Sequence, residues 1–471
     1  MDINFAVQSY RLDSLPVSSQ RLVNAYAETQ PRTAKSRVAV IGAPGIKSFA
    51  TCGSGPIRGG IEISSIAYFV SGDELWKVSA DGTPQILGSG IAGLSPVCID
   101  GTDEEIAIVN GTNGYVYNIA SGVLAQISDG DFQSANTVTV INSIFVYDWK
   151  NSNKFFVSEV LAAGNIDPLR WASAESSPDP VMAVKNRNGI LMVFGAHTTE
   201  PWDHTGAASF PFSKIKGGTI DRGIAAPLAV VNEDSSLFFL GDDLVFYRLN
   251  GLQLVRISTH AIETAWQGYA MTSDVICFRV PFNGHKFIYV SFPSANSTWG
   301  YDIATGLWHE RVSWDATGDE VRWRVNCAVM AYNKVLLGDQ NSGQIGVLDH
   351  ETYTEYGDPI VTTLVSPPVY ADGNMMSVPC FELDMETGVG LTIGQGSDPK
   401  VMLEYSTDGA RTYSVPQQWR TIGKIGEYNT RLQWRELGSG YHYTFRVSIS
   451  DPVRRVVSGS RLPQFYAERR R

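Results

Sequence analysis

Cysteine is scarce and scattered: Cys52, Cys98, Cys277, Cys327 and Cys380 are the five in 471 residues. No Cys-x-x-Cys pair occurs, and no histidine stands at zinc-ligand spacing from any of them, which argues against zinc ribbons and disulfide frameworks. An odd count at wide spacing reads as buried free thiols made in a reducing cytosol. No apolar run approaches the roughly 20 residues needed to span a bilayer. Met1-Asp2-Ile3-Asn4-Phe5 lacks the basic and apolar regions of a signal peptide. Basic charge is short as well. The 37 Lys and Arg face 48 Asp and Glu, for a net charge of −11. A general affinity for phosphate backbones is therefore not expected, whereas an acidic or neutral wall suits DNA that must slide without sticking. Catalytic signatures are missing too: there is no Walker loop, HExxH, GxSxG or EF-hand loop.

What is present is repetition. From residue 57 to residue 365 a short apolar strand meets a Gly, Asn or Asp turn, then a second strand, often with an aromatic close. Tyr68-Phe69-Val70, Gly72-Asp73, Leu75-Trp76-Lys77-Val78 is one unit. Leu237-Phe238-Phe239-Leu240, Gly241-Asp242, Val245-Phe246-Tyr247-Arg248-Leu249 is another. The chain holds ten Asn-Gly or Asp-Gly pairs, Asp81-Gly82, Asn113-Gly114, Asn188-Gly189 and Asn283-Gly284 among them, and such pairs tolerate the positive φ of tight hairpins. Hairpins recur roughly every 40–50 residues, the period of a four-stranded propeller blade. An all-β, distorted β-propeller of six or seven blades is expected. One helical exception, Ser258–Trp266, has a Thr cap and sets Ile262 and Trp266 four apart on one face, as for a helix packed between blades.

The flanks differ from the repeat. Residues 1–56 are polar, with Pro16, Pro31 and Pro44 and basic points at Arg32, Lys35 and Arg37. They read as an extended N-terminal arm lying against its own propeller or a neighbour, with a short helix over 19–29. Pro367-Pro368 breaks the chain before a separate unit, 366–471. There Tyr441–Ile449 alternates strictly, as a half-buried antiparallel strand does, and predicts a β-sandwich-like domain. The last twenty residues hold Arg454, Arg455, Arg461, Arg469, Arg470 and Arg471 against one acid, Glu468. This basic tail is either a solvated face or a dock for an acidic neighbour. Arg32, Arg37, Arg454, Arg455 and Arg469–Arg471 are thus the candidate partner contacts.

Candidate chemistry is weak by comparison. Gly53, Gly55 and Gly59 lead into a strand, where a phosphate site would need a helix N-terminus. His197 and His204, beside Glu200 and Asp203, lack a third His or Cys ligand nearby. Asp103, Glu104 and Glu105 read as a solvated tip. Tyr405-Ser406-Thr407-Asp408-Gly409-Ala410-Arg411-Thr412-Tyr413 is similar to the Asp-box hairpin of sialidase-type propellers, with Ala410 and Tyr413 in place of the usual Gly and Trp. That motif is structural in its own family. No catalytic, cofactor or metal residue is assigned.

Several segments, in order, resemble the packaged-DNA stabilisation proteins of short-tailed (podovirus) phages, also called tail hub or nozzle proteins. They are Asn24-Ala25-Tyr26-Ala27-Glu28 with Ala43-Pro44-Gly45-Ile46 and Arg58-Gly59; Gly195, Glu200, Trp202, Gly206 and Phe210-Pro211-Phe212; Arg222-Gly223-Ile224-Ala225-Ala226-Pro227; Ile257–Glu263; and Val447–Val453. The resemblance implies a structural protein of the virion tail, made in the host cytoplasm. It implies a ring, usually of six copies, below the portal and the head-to-tail adaptor. That ring continues the DNA channel, retains packaged genome, and carries the needle and the fibres or tailspikes. Two competing readings are a propeller enzyme acting on host polysaccharide and a host-binding tail module. An enzyme predicts convergent acids and Arg residues in the central cleft.

Overall fold

The computed structural model describes residues 1–471 apart from 4, 6, 415–417, 464, 465 and 469–471. Among the described residues seven antiparallel blades of four strands each follow one another along the chain, the first five as separate sheets: blade 1 (57–89), blade 2 (98–126), blade 3 (138–173), blade 4 (181–214), blade 5 (230–256), blade 6 (276–310) and blade 7 (325–349 with 45–51). The open alternative of six or seven blades resolves to seven.

One local device repeats. The first strand of a blade turns into the second through two residues with positive φ: Ser64-Ser65, Asn142-Ser143, Asn188-Gly189, Asp234-Ser235, Asn283-Gly284 and Tyr332-Asn333. Two consecutive left-handed residues twist a hairpin the way its strands already twist. Blade 2 departs from this rule and uses the longer Thr102-Asp103-Glu104 loop. The second strand is the buried one. In blade 5, Ser236–Leu240 is buried along its whole length, as expected for an apolar run packed on both faces.

First strands line the axis and bond across blades. Val97 N–H donates to Arg58 O (3.1 Å), Val140 N–H to Asp100 (3.0 Å), Val184 N–H to Thr137 Oγ1 (2.9 Å), and Asn326 Nδ2 to Ile57 O (3.0 Å). They surround an axial cavity of about 230 Å³, which Cys98, Cys277 and Cys327 help to line. All five cysteines are free thiols, and burial pushes the Cys327 thiol up to about 12.

The propeller closes by overlap. Gly45–Thr51 pairs antiparallel with Gln344–Asp349, so a strand that precedes blade 1 becomes the outer strand of blade 7. No open seam is left between first and last blade.

The second unit is a two-layer sandwich. Its first sheet is an extension of blade 6. From Trp308–Glu310 the ladder passes to Ser19–Val23, Thr362–Val365, His442–Ile449, Lys400–Ser406 and Gln418–Thr421. Its second sheet orders Ala25–Thr29, Val38–Gly42, Val456–Arg461, Cys380–Met385 and Leu432–Arg435. Phe381, Trp434, Tyr443, Phe445, Leu364 and Val447 fill the space between. The helix expected over 19–29 is corrected to two strands, Ser19–Val23 and Ala25–Thr29. Leu22 and Tyr26 mimic a helical face, but Val23, Asn24, Ala25 and Ala27 are buried as well, which sheets on both sides permit and one helix face does not. The N-terminal segment therefore lies against its own chain. The one α-helix described, His260–Gln267, starts at Thr259 without a side-chain cap bond and buries Ile262 and Trp266 beside blades 5 and 6.

Candidate functional site at the propeller–sandwich joint

Backbone pairing alone would join propeller to sandwich weakly. Ser19–Val23 meets blade 6 through a single parallel register pair, Val23 opposite Glu310. Side chains do the rest. Arg21 forks onto Glu310 (Nη2 to Oε2, 2.6 Å) and reaches Glu320 at 2.9 Å. One residue past the strand, Asn24 takes φ 52° and turns the chain from the first sheet to the second. Asn accepts this left-handed conformation more readily than other residues with a Cβ. Its amide oxygen accepts from Val312 N–H (3.0 Å) and Arg311 Nη1 (3.2 Å), and its Nδ2 donates to Val361 O (2.9 Å).

Around this corner lies a buried charge cluster. Arg311 is 1% exposed, lies over the Trp323 ring at 4.8 Å, and donates to Pro44 O (2.9 Å) and Glu355 Oε1 (3.2 Å). Glu355 also accepts from Trp323 Nε1 (2.8 Å) and Ser313 Oγ (2.6 Å). Such a pair survives burial because both carboxylate oxygens of Glu355 have donors. Gly45 follows Pro44 under the same constraint: a Cβ there would lie 2.5 Å from Thr352 O.

A second link is His285, whose Nδ1 meets Asp302 (2.8 Å) and whose Nε2 meets Glu28 (2.6 Å) on the neighbouring layer. The hydrogen bond to Asp302 raises the imidazole above its ordinary range, against the opposing effect of burial. His309, 3% exposed and close to the Phe287 and Tyr289 rings, is pushed down to about 3 by burial.

The candidate partner residues separate. Arg32 and Arg37 are exposed on the turn between Ala25–Thr29 and Val38–Gly42. Arg454 is exposed and pairs with Glu386 at 3.3 Å. Arg455 is a correction. It is 2% exposed and donates to Thr362 Oγ1 (2.9 Å) and Asp451 O (3.0 Å), so it braces the joint from inside and reaches no neighbour. Burial, then the Arg311 charge, lowers its guanidinium to about 10. Arg469, Arg470 and Arg471 lie outside the described residues.

The motifs singled out in the sequence turn out to be fastenings. Arg58 donates to the carbonyls of Gly72, Ile91, Ala92 and Ser95. Glu200, 1% exposed, accepts from Trp202 Nε1 (3.2 Å) and Lys214 (2.9 Å). Gly223 lies against Ala196, where a Cβ would come within 2.2 Å of backbone. His197 and His204 do not converge: the first meets Asp242 at 3.2 Å, the second packs on Phe212. In the Asp-box-like hairpin, Asp408 bonds the Ser406 and Thr412 hydroxyls, and Gly409 rests on the Pro16 ring. Sequence reasoning missed Arg311, Glu355 and His285, because nothing local marks residues whose hydrogen-bond partners lie 17 to 287 positions away.

Comparison with known proteins matches both units. A family model described as bacteriophage P22 Gp10, beta-propeller, covers residues 14–353, and one described as bacteriophage P22 Gp10, beta-sandwich, covers residues 362–463. The tail hub protein gp10 of Salmonella phage P22 is 20% identical over 404 residues, 79% of each chain. Among solved structures, the extracellular domain of a putative hybrid two-component system from B. thetaiotaomicron aligns at TM-score 0.45 and 8% identity over 65% of this chain and 40% of that one. The Cps50 (Swd1) β-propeller domain of Myceliophteria thermophila aligns at TM-score 0.42 and 8% identity over 64% of this chain and 98% of that one.

Proposed function

The chain belongs to the bacteriophage P22 Gp10 family in its propeller and its sandwich alike, and we propose that copies of it form the hub ring of a short-tailed phage. It is a structural component of the tail. The ring continues the DNA channel below portal and adaptor, retains the packaged genome, and carries needle and fibres or tailspikes. One observation supports this most: the sheet of blade 6 continues into the sandwich across the Val23–Glu310 pair, and the buried Arg311–Glu355 cluster fastens that joint. A propeller packed blade on blade and continuous with a second layer makes a stiff block, suited to a part that bears the pressure of packed DNA.

The part is played by shape, with no turnover on polysaccharide. Residues 57–365 hold 18 Lys and Arg against 34 Asp and Glu, which supports a lumen along which DNA moves without adhering. Negative-stain imaging of the purified protein, alone and with a portal–adaptor complex, tests the reading. A ring on that complex, with virions that lose DNA when the protein is withheld, is expected. Virions that keep their genome equally well without it would overturn the proposal.

A further inference from the structure

Four adjacent strands of the first sandwich sheet are Ser19–Val23, Thr362–Val365, His442–Ile449 and Lys400–Ser406. Leu22, Leu364, Val447 and Leu403 point from them into the sandwich core. The period of two then sends their chain neighbours to the outer face. There Arg21, Val365, Arg446 and Glu404 stand in one cross-strand row, each in register with the next.

A cavity of about 400 Å³ lies over this row, a volume in the range of small-ligand pockets. Three loops wall it. Leu15 comes from the loop before Ser19, Trp314 and Glu320 from the hairpin 312–322, and Tyr413 from the Asp-box-like hairpin. Pro16 packs on Gly409, so the first and third walls support each other.

The wall is rich in donors that no protein group uses. Arg21 spends Nε and Nη2 on Glu310 and Glu320, and Arg446 spends the same two atoms on Glu404. Nη1 of each makes no hydrogen bond among the described residues, nor does the exposed Arg11 side chain or the Tyr413 phenol. Ser19, 4% exposed, leaves its Oγ without a partner among the described residues, and Trp314 its Nε1. The three guanidiniums gather round Tyr413. Arg446 lies over its ring at 4.0 Å. Burial raises the phenol above its ordinary range with help from Glu404, and the charges of Arg446, Arg11 and Arg21 all oppose that rise.

The acids nearby are already engaged. Glu320 and Glu404 line the cavity, and each is held by an arginine. Glu310 takes another edge of Arg21 and, with Asp13, lines the neighbouring cavity. Arg11 alone of the three arginines has no counter-ion among the described residues. What stays unspent is N–H and O–H, so an occupant must bring acceptors. Leu15, Met402 and the rings of Trp314 and Tyr413 offer its carbon atoms an apolar surface.

The geometry points to a binding site for an organic carboxylate, paired with Arg11, accepting from the unspent Nη1 groups and the Tyr413 phenol, and resting its carbon body on Trp314 and Met402. Charge-assisted bonds of this kind are roughly twice as strong as neutral ones, which selects a carboxylate over a neutral acceptor. The site does not depend on ring assembly and stands or falls separately from it. A free organic acid and the last residue of a partner polypeptide carry the same chemistry.

Calorimetric titration of the full chain tests it. The probes are the N-acetyl derivatives of alanine, leucine, phenylalanine and tryptophan, each beside its uncharged amide. At least one acid is expected to bind, with its amide at least about tenfold weaker, the worth of one hydrogen bond to a charged group. Arg11→Ala should weaken that acid about tenfold and Tyr413→Phe about threefold. Denaturation midpoints should stay unchanged, because neither removed group is bonded within the described residues. A tetrapeptide ending in the preferred residue with a free carboxylate separates the sources: tighter binding than the N-acetyl acid assigns a chain end, and equal or weaker binding a free acid. If no acid binds in preference to its amide, or if Arg11→Ala binds the acid as the wild type does, water alone fills the cavity and the proposal falls.

Discussion

The chain holds itself together at two long-range seams, and they are built differently. The propeller closure, Gly45–Thr51 against Gln344–Asp349, is a backbone ladder with apolar side chains, Ala50, Ile345 and Leu336 among them, packed beneath it. The joint between propeller and sandwich has a single register pair to blade 6 and a buried set of polar side chains. A ladder distributes its strength over many equivalent bonds, so no single side chain decides it. A buried ion cluster concentrates its strength in few atoms, so one deletion exposes the desolvation cost of all the others. The first seam tolerates sequence drift. The second fixes how one unit sits on the other, which is what a wedge in a ring must keep constant.

The sharpest break of this contrast is Arg311→Ala. It leaves Glu355 buried beside Trp323 without its cation, and should cost about 3–5 kcal/mol in chemical denaturation. Unfolding should also split into two transitions, with the sandwich lost first. The paired change Arg311→Met with Glu355→Leu should recover most of that loss, because no lone charge then stays buried. Asn24→Ala comes next, at about 2–4 kcal/mol, since it strands Val312 N–H and Val361 C=O and places a Cβ residue at φ 52°. Asn24→Gly keeps the turn without the bonds and should cost roughly 1 kcal/mol less. Equal losses for the two variants would show that the hydrogen bonds, not the conformation, carry the corner.

The same contrast explains what the sequence discloses. Strands with local patterns are legible: His442–Ile449 falls inside the alternating run, and the Ser258–Trp266 helix lies where its spacing puts it. The Pro367-Pro368 break, by contrast, falls inside the sandwich and not before it, because Thr362–Val365 is already a strand of its first sheet. Turns are legible only where chemistry announces them. Asn188-Gly189 and Asn283-Gly284 are marked, but Ser64-Ser65, Asp234-Ser235 and Tyr332-Asn333 adopt the same positive φ without the expected residues, because the flanking strands impose it. Asn113-Gly114 looks like such a turn, yet Gly114 opens the strand Gly114–Asn118. The joint is illegible for a different reason. Asn24, Arg311 and Glu355 are ordinary residues in their own neighbourhoods, and Arg455 reads as one more solvated tail arginine until the fold buries it.

Acidity should probe the joint from both directions. The folded-state pKa of His309 lies at about 3, below the unfolded value of about 6.5. Its contribution is therefore complete above about pH 6.5 and falls as pH drops toward 3, a loss of about 2 kcal/mol by pH 5. His285 has the opposite sign. Its folded pKa is raised, so its contribution is complete below about pH 6.5 and declines as pH rises through the folded value. Denaturation midpoints across pH should show His309→Phe flattening the acid limb and His285→Gln the alkaline limb. A variant that leaves its own limb unchanged removes that histidine from the joint.

The smallest effect belongs to the closure, and its smallness is the point. Ile345 is fully buried opposite Ala50. Ile345→Val removes one methyl beneath a ladder that stays intact, so the loss should be about 0.5–1.5 kcal/mol, the transfer and cavity cost of that group alone. The backbone bonds on either side do not depend on it, and the unfolding transition should keep its shape. If this change instead cost as much as Arg311→Ala, the closure would also depend on individual side chains. The division between a tolerant ladder and a brittle joint would then fail, and the sandwich's fixed position on the propeller would need another cause.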